Sequence, residues 1–384
     1  MNPVYLDYNA TTPIDPVVSE AMLPFITQHF GNPSSGHTYG VTTNLAVENA
    51  RSQVADLIGC NSSEIVFTSG GTEANNYAIK GITGAYKSKG SHIITSGIEH
   101  PAITEVCKYM QTKGCTATYV PVDQYGRVDP NKVEEAITDD TVLITIMHAN
   151  NEVGTIQPIQ EISKISRRHG IFLHSDCAQS IGKIPVEVDE LGVDLLSIAG
   201  HKLYAPKGVG ALYVRSGVQL EKIMHGANHE SGLRAGTENV ILIVGLGEAC
   251  RLIRDHLSEY IDNMQTMRDL LEVGLTGDNI DSRINGHPIL RLPNTLSIGF
   301  KGVAADQLLL DLDSVASSAG AACHTDNVEI SQVLEAMKVP LEYAAGTIRL
   351  SVGRYTTQQE VSHAVKEITD WVLNKQSMQI EGAY

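Results

Sequence analysis

Short apolar and β-branched runs alternate with longer amphipathic stretches along most of the chain. Ile65-Val66-Phe67, His92-Ile93-Ile94-Thr95, Val142 to Met147, Ile171-Phe172-Leu173-His174 and Leu195-Leu196-Ser197-Ile198 read as buried strands. Segments such as Ile159 to Arg168 read as the helices between them. This alternation predicts βαβ units and a mainly parallel α/β sheet covered on both faces. Sites in such sheets gather at the carboxyl ends of the strands, so the residues after each run carry the interest. Near Asn239 a long helical stretch begins and runs through Ala249, Ile253 and Leu257. It reads as the link to a second region with strands Asn294 to Phe300 and Thr347 to Val352 and a closing helix around Val361 to Val372. The expected division is a large domain over 12–255 and a small domain from 1–11 and 256–384.

Composition narrows the function classes. The 384 residues are 42% hydrophobic and 19% charged, ample for a buried core and unlike a disordered chain. The formal charge is −16, and a chain so acidic is poorly suited to tracking a nucleic-acid backbone. The longest apolar runs, such as Thr141 to Met147, are of strand length, so no transmembrane helix is expected. Met1-Asn2-Pro3-Val4-Tyr5 lacks a basic region followed by an apolar stretch, so no secretory signal is expected, and six cysteines in a long chain then do not suggest a disulfide framework. A cytoplasmic location is therefore expected.

Four stretches carry candidate chemistry, and each has an ordinary alternative. Ser69-Gly70-Gly71-Thr72-Glu73 follows a strand; a glycine turn opening a helix offers free N–H groups and a positive helix end to an anion. It equally fits a plain strand-to-helix turn. In His174-Ser175-Asp176-Cys177-Ala178-Gln179, Asp176 sits at a strand end, where its carboxylate can pair with a protonated pyridine nitrogen and Gln179 can donate to a ring oxygen. A helix cap explains the same aspartate. Ala199-Gly200-His201-Lys202-Leu203-Tyr204 places a lysine after a strand, where desolvation or nearby positive charge can free its amine to bind an aldehyde. A surface loop lysine is the alternative. In Glu99-His100-Pro101-Ala102, His100 can stack on a ring and move protons near neutral pH, or can cap a helix. Among 14 histidines, His225 and His229 have i,i+4 spacing, but Gly226 and Gly232 argue against a helical metal face, and no metal is expected.

Together these motifs resemble the class V aminotransferase group of pyridoxal-phosphate (PLP) enzymes, of the aspartate aminotransferase-like fold type I. More narrowly, the chain looks like the NifS/IscS-type cysteine desulfurases and the selenocysteine lyases. The resemblance runs from Tyr5-Leu6-Asp7-Tyr8-Asn9-Ala10-Thr11-Thr12-Pro13 to Arg349-Leu350-Ser351-Val352-Gly353-Arg354. It includes Phe30-Gly31-Asn32-Pro33-Ser34-Ser35 and Met147-His148-Ala149-Asn150-Asn151-Glu152. It implies a Schiff base on Lys202, a pyridine partner in Asp176, and contacts from Gln179 and Asn151 to the ring oxygen and substrate. It also implies a phosphate site of Gly71, Thr72 and His201, and a carboxylate grip by Arg349, a bidentate task suited to guanidinium. Thr237, in Arg234-Ala235-Gly236-Thr237-Glu238-Asn239, matches a residue that reaches the neighbouring subunit's phosphate, which implies a homodimer. One departure stands out: Ala199 occupies a position that is a phosphate-binding serine in many family members. Ser197 shares a strand face with it.

Cys323, in Ser317-Ser318-Ala319-Gly320-Ala321-Ala322-Cys323-His324-Thr325-Asp326, reads as part of a flexible, accessible loop rather than a packed strand. A mobile cysteine beside a histidine is a candidate nucleophile, a buried structural thiol the alternative. By resemblance it is the persulfide-forming cysteine. The implied reaction converts L-cysteine to L-alanine and passes the Cys323 persulfide to an acceptor such as an iron–sulfur scaffold. His100 would give acid–base help. The competing readings are a selenocysteine lyase and a PLP-fold scaffold without activity.

Overall fold

The computed structural model describes the backbone of residues 3–277, 279–324 and 327–381, and their side chains except at 321–329 and 378–381. A seven-stranded sheet runs in the order Ile65–Thr68, Gly210–Val214, Leu195–Ala199, Phe172–Asp176, Thr141–Thr145, His92–Ser96, Thr116–Val120. Only Gly210–Val214 runs against its neighbours. Side chains alternate between two cores, as the pleat requires. Ile65, Phe67, Ile94, Leu196 and Ile198 enter one cluster, and Val66, Ile93 and Leu195 enter the other. Helices Pro16–Thr27, Thr38–Ile58, Ile159–His169 and the start of Val240–Leu275 cover the first face through residues such as Met22, Val54, Ile162 and Leu246. Helices Gly71–Ala85 and Pro101–Gln111 cover the second through Tyr77, Ile82 and Ile103. Burial on both faces explains why these strands are continuous apolar runs rather than alternating ones.

A four-stranded antiparallel sheet holds, in order, Ser318–Ala319, Thr347–Ser351, Thr295–Phe300 and Ser282–Asn285. Its core contains Leu296, Ile298, Phe300, Ile348 and Leu350, packed on Ala364 and Ile368 of the closing helix Gln358–Glu381. The helix Val240–Leu275 joins the two cores. Ile243, Ala249 and Ile253 belong to the first, and Met264, Leu271 and Leu275 to the second. Its start is set by Asn239, whose side chain accepts from Leu242 N–H. The N-terminal segment attaches to the second sheet as well: Val4–Tyr5 pairs with Val315–Ala316, and Asp7 bridges Ser351. Just beyond, Thr12 N–H donates to the carbonyl of His201, so the same segment crosses to the lysine loop.

Candidate active site

Four parallel strands of the large sheet, and Ile65–Thr68 beside them, end at one cavity of about 390 Å³. It is lined by Gly71, Thr72, His100, Asn151, Asp176, Gln179, His201, Lys202 and Arg349 among others. Every sequence-derived cofactor or substrate residue is thus in one place except Thr237. That residue is exposed on a separate groove with Ile26, Phe30 and Val240.

Lys202 lies on a single helical turn, Gly200–Lys202, directly after the strand Leu195–Ala199. Its Nζ donates to the carbonyls of Asn9 and Ala10, and no carboxylate pairs with it among the described residues. Burial lowers its pKa from 10.5 to about 8, Arg349 adds to the effect, and Asp176 and Asp7 oppose it. Asp176 caps a turn and also lines the cavity. Its Oδ1 accepts from Ala178 N–H at 2.9 Å as a turn cap, while Oδ2 accepts from Asn75 Nδ2 at 2.7 Å. His100 caps the helix Pro101–Gln111, its Nδ1 accepting from Ala102 N–H, and its ring lines the cavity. That bond leaves the proton of the neutral ring on Nε2. Desolvation lowers the His100 pKa, Asp176 opposing and Lys202 adding. His201 is held neutral, at about 4, by desolvation and by Lys202, Lys207 and His100.

The anion turn is built by close approach. Gly70 has φ 147°, open mainly to glycine, and begins the helix Gly71–Ala85. A Cβ on Gly71 would meet the Ala199 Cβ at 3.1 Å, so the turn and the lysine strand lie against each other. Ser197 does not replace the missing serine at 199. It is fully buried, and its Oγ pairs with His174 Nε2 at 2.9 Å inside the sheet.

Arg349 projects from Thr347–Ser351. Nη1 donates to the Asn151 carbonyl at 3.0 Å, Nη2 to Asp7 Oδ1 at 2.7 Å and Ser318 Oγ at 3.0 Å, and Nε is buried without a partner. An unpaired guanidinium donor at a cavity wall fits a carboxylate ligand. The site as a whole fits PLP: an amine with a lowered pKa, a carboxylate held at a strand end, an amide donor in Gln179, and a helix N-terminus for the phosphate.

Cys323 corrects one expectation. Its backbone is in a strand, not an irregular loop: Ala321–His324 pairs antiparallel with Asn327–Ile330, with Cys323 opposite Val328. The hairpin is rooted beside the arginine strand, where Gly320 N–H donates to the Thr347 carbonyl and Ser331 N–H to the Gly320 carbonyl. The Cys323 side chain lies outside the described residues.

Sequence reading missed Asn75 and Asn9. Asn75 is four residues after Gly71, one helical turn on, which puts it on the same helix face as the anion turn. Asn9 sits within Tyr5 to Pro13 and binds through backbone and side chain, with no pattern to mark it.

The family model for aminotransferase class-V matches residues 4–363. The chain belongs to this family of PLP-dependent, fold type I enzymes. Within it, the chain is 47% identical over 374 residues to a protein of Dictyoglomus turgidum named cysteine desulfurase IscS, covering 97% of this chain and 95% of the relative. A Methanosarcina thermophila protein of the same name is 45% identical over 377 residues, covering 98% and 93%. Among solved structures, a NifS-like protein aligns with TM-score 0.90 at 39% identity over 96% of this chain and 99% of its own. SspA in complex with cysteine aligns with TM-score 0.81 at 36% identity over 92% and 99%.

Proposed function

We propose that the protein is a cysteine desulfurase that converts L-cysteine to L-alanine and leaves the sulfur as a persulfide on Cys323. The observation that carries this reading is the meeting of Lys202, Asp176, Gln179, Thr72 and Arg349 around one cavity, in a chain so similar to proteins of that name.

Bound PLP supplies an electron sink for charge developing at the substrate Cα. The chain's residues do the rest. Gly71, Thr72 and His201 hold the phosphate, and Asp176 holds a proton on the pyridine nitrogen. Gln179 donates to the ring oxygen, and Arg349 binds the substrate carboxylate with Asn151 beside it. Lys202 carries the cofactor between turnovers; freed as a neutral amine, which its lowered pKa favours, it accepts the Cα proton. His100 carries a proton on Nε2 for exchange at the substrate thiol. The Cys323 thiolate then attacks the substrate sulfur, so an S–S bond forms as the C–S bond breaks. Sulfur is oxidised, the substrate carbon is reduced, and alanine leaves with no outside reductant. Cys60, Cys107, Cys177 and Cys250 are poor rivals, since burial pushes each thiol up to about 12.

The active unit is a homodimer. Leu23, Ile26, Phe30, Tyr39 and Leu45 are 53–81% exposed along the first two helices and the turn between them. Thr237 opens on a groove lined by two of these, Ile26 and Phe30, which supports its reaching the partner's phosphate. Glu73 accepts from Arg234 Nε at 2.9 Å and Nη2 at 3.2 Å, tying the segment before Thr237 to the anion turn. The small domain, from 1–11 and 256–384, brings Arg349 and the Cys323 hairpin, and a sulfur-acceptor protein such as an iron–sulfur scaffold takes the persulfide. No described helix is long and apolar enough to cross a membrane; the reading places the enzyme in the cytoplasm. Alanine release from cysteine and selenocysteine tests the substrate. Substantial turnover of cysteine, abolished in Cys323→Ser with the visible cofactor band intact, is expected. Turnover of selenocysteine alone would overturn the reading.

A further inference from the structure

A second lysine stands behind the first. Lys183 is 4% exposed and has no carboxylate partner among the described residues. Its Nζ donates to Gln179 Oε1 at 2.5 Å and to Asn9 Oδ1 at 3.0 Å. Asn294 Nδ2 donates to the same Asn9 oxygen at 2.9 Å, and Asn9 Nδ2 donates to Thr295 Oγ1 at 2.8 Å and to the Asn151 carbonyl at 3.1 Å. The Asn9 carbonyl accepts from both Lys202 Nζ and Gln179 Nε2. An ammonium has donors only, so the amide oxygen of Gln179 must face Lys183 and the NH₂ must face the other way. Burying a cation without an anion is costly, and such a residue persists where its donors are needed.

We propose that Lys183 is a positioning residue of the active site, holding the Gln179 amide with its NH₂ toward the Lys202 end of the cavity and fixing Asn9 as the resting acceptor for both. The inference rests on the cofactor reading above. It adds a part that no single motif marks. Without Lys183, Gln179 can rotate its oxygen toward the ring oxygen and present repulsion in place of a donor. The charged groups acting on Lys183 are Lys202 and Arg349. After burial, both lower its pKa. Loss of the Gln179 donor and loss of a nearby cation push the same way: each makes the Lys202-linked imine nitrogen easier to protonate.

The test is the pH midpoint of the visible cofactor band in the PLP-loaded enzyme, for wild type, Lys183→Met, Gln179→Leu and the double variant. Lys183→Met is expected to raise the midpoint by roughly half a pH unit, about threefold in proton affinity. The double variant should exceed Gln179→Leu by less than the full Lys183→Met shift, because part of that shift passes through the Gln179 side chain. An unchanged midpoint in Lys183→Met, or shifts that simply add, would overturn the proposal. A merely structural lysine would lower the melting temperature without moving the band. If Lys183→Met does not fold, Lys183→Gln, which satisfies the buried polar neighbours but can turn either an NH₂ or an oxygen toward Gln179, should raise the midpoint by less, and an unchanged midpoint there overturns the proposal. A wild type that shows no visible band with PLP would refute the cofactor reading instead.

Discussion

Asn75→Ala removes the one side chain that donates to Asp176 among the described residues. In the structure, Asn75 Nδ2 lies 2.7 Å from Asp176 Oδ2, and both residues are buried, at 1% and 7% exposure. A hydrogen bond to a charged group is worth about 1.5–3 kcal/mol. Ala178 N–H still holds Oδ1, so the carboxylate is loosened rather than released. Part of the loss appears as lower stability of the apoprotein and part as weaker cofactor binding, since a swinging carboxylate no longer meets the pyridine nitrogen at no cost. If about half falls on binding, PLP affinity drops roughly three- to tenfold. Asn75→Asp should be worse, because a second carboxylate at that distance forces one of the pair to take a proton. Titration of apoprotein with PLP, followed at the visible band, gives the affinity directly. Wild-type affinity in Asn75→Ala would refute the claim that Asn75 orients Asp176.

Lys202 titrates near pH 8, so PLP capture by the apoprotein should accelerate through that pH and level off above it, well below the 10.5 of a free lysine; stopped-flow absorbance measures this. Burial raises the Glu99 pKa to about 8 from 4.5, with Ser96 and Met147 N–H opposing. The folded protein then holds a proton that the unfolded chain has lost between those values. Stability from this group falls as pH rises across that window. The melting temperature of Glu99→Gln should therefore fall less between pH 5 and pH 8 than that of wild type. Phe30→Asp, at a side chain 81% exposed, should shift the protein to monomer in sedimentation and weaken PLP binding through loss of the partner's Thr237.

Much of this architecture is legible in the chain because strands buried on both faces declare themselves as apolar runs. Thr116–Val120 was missed, since an edge strand with Thr116, Thr118 and Tyr119 exposed carries no such run. Gly210–Val214 follows a turn-rich loop and joins the sheet antiparallel, a direction that no local pattern encodes. Lys202, Asp176 and the anion turn are readable because each lies at or just beyond the carboxyl end of a strand. Asn9 and Lys183 are not, since their roles arise from contacts spanning 174 residues in sequence. At Asp176 and His100, the capping bond and the place on the cavity wall belong to the same side chain. The Cys323 stretch misled because small residues read as loop, while the pairing strand that orders it comes afterwards.

The central claim is that sulfur leaves cysteine onto Cys323. Mass spectrometry of the PLP-loaded enzyme after brief incubation with L-cysteine, thiols alkylated and peptides mapped, tests it most directly. One added sulfur on the Cys323 peptide, matched by alanine and absent from the peptides bearing the other five cysteines, is predicted. Alanine formed with Cys323 unmodified, or the sulfur found on another cysteine, would contradict it.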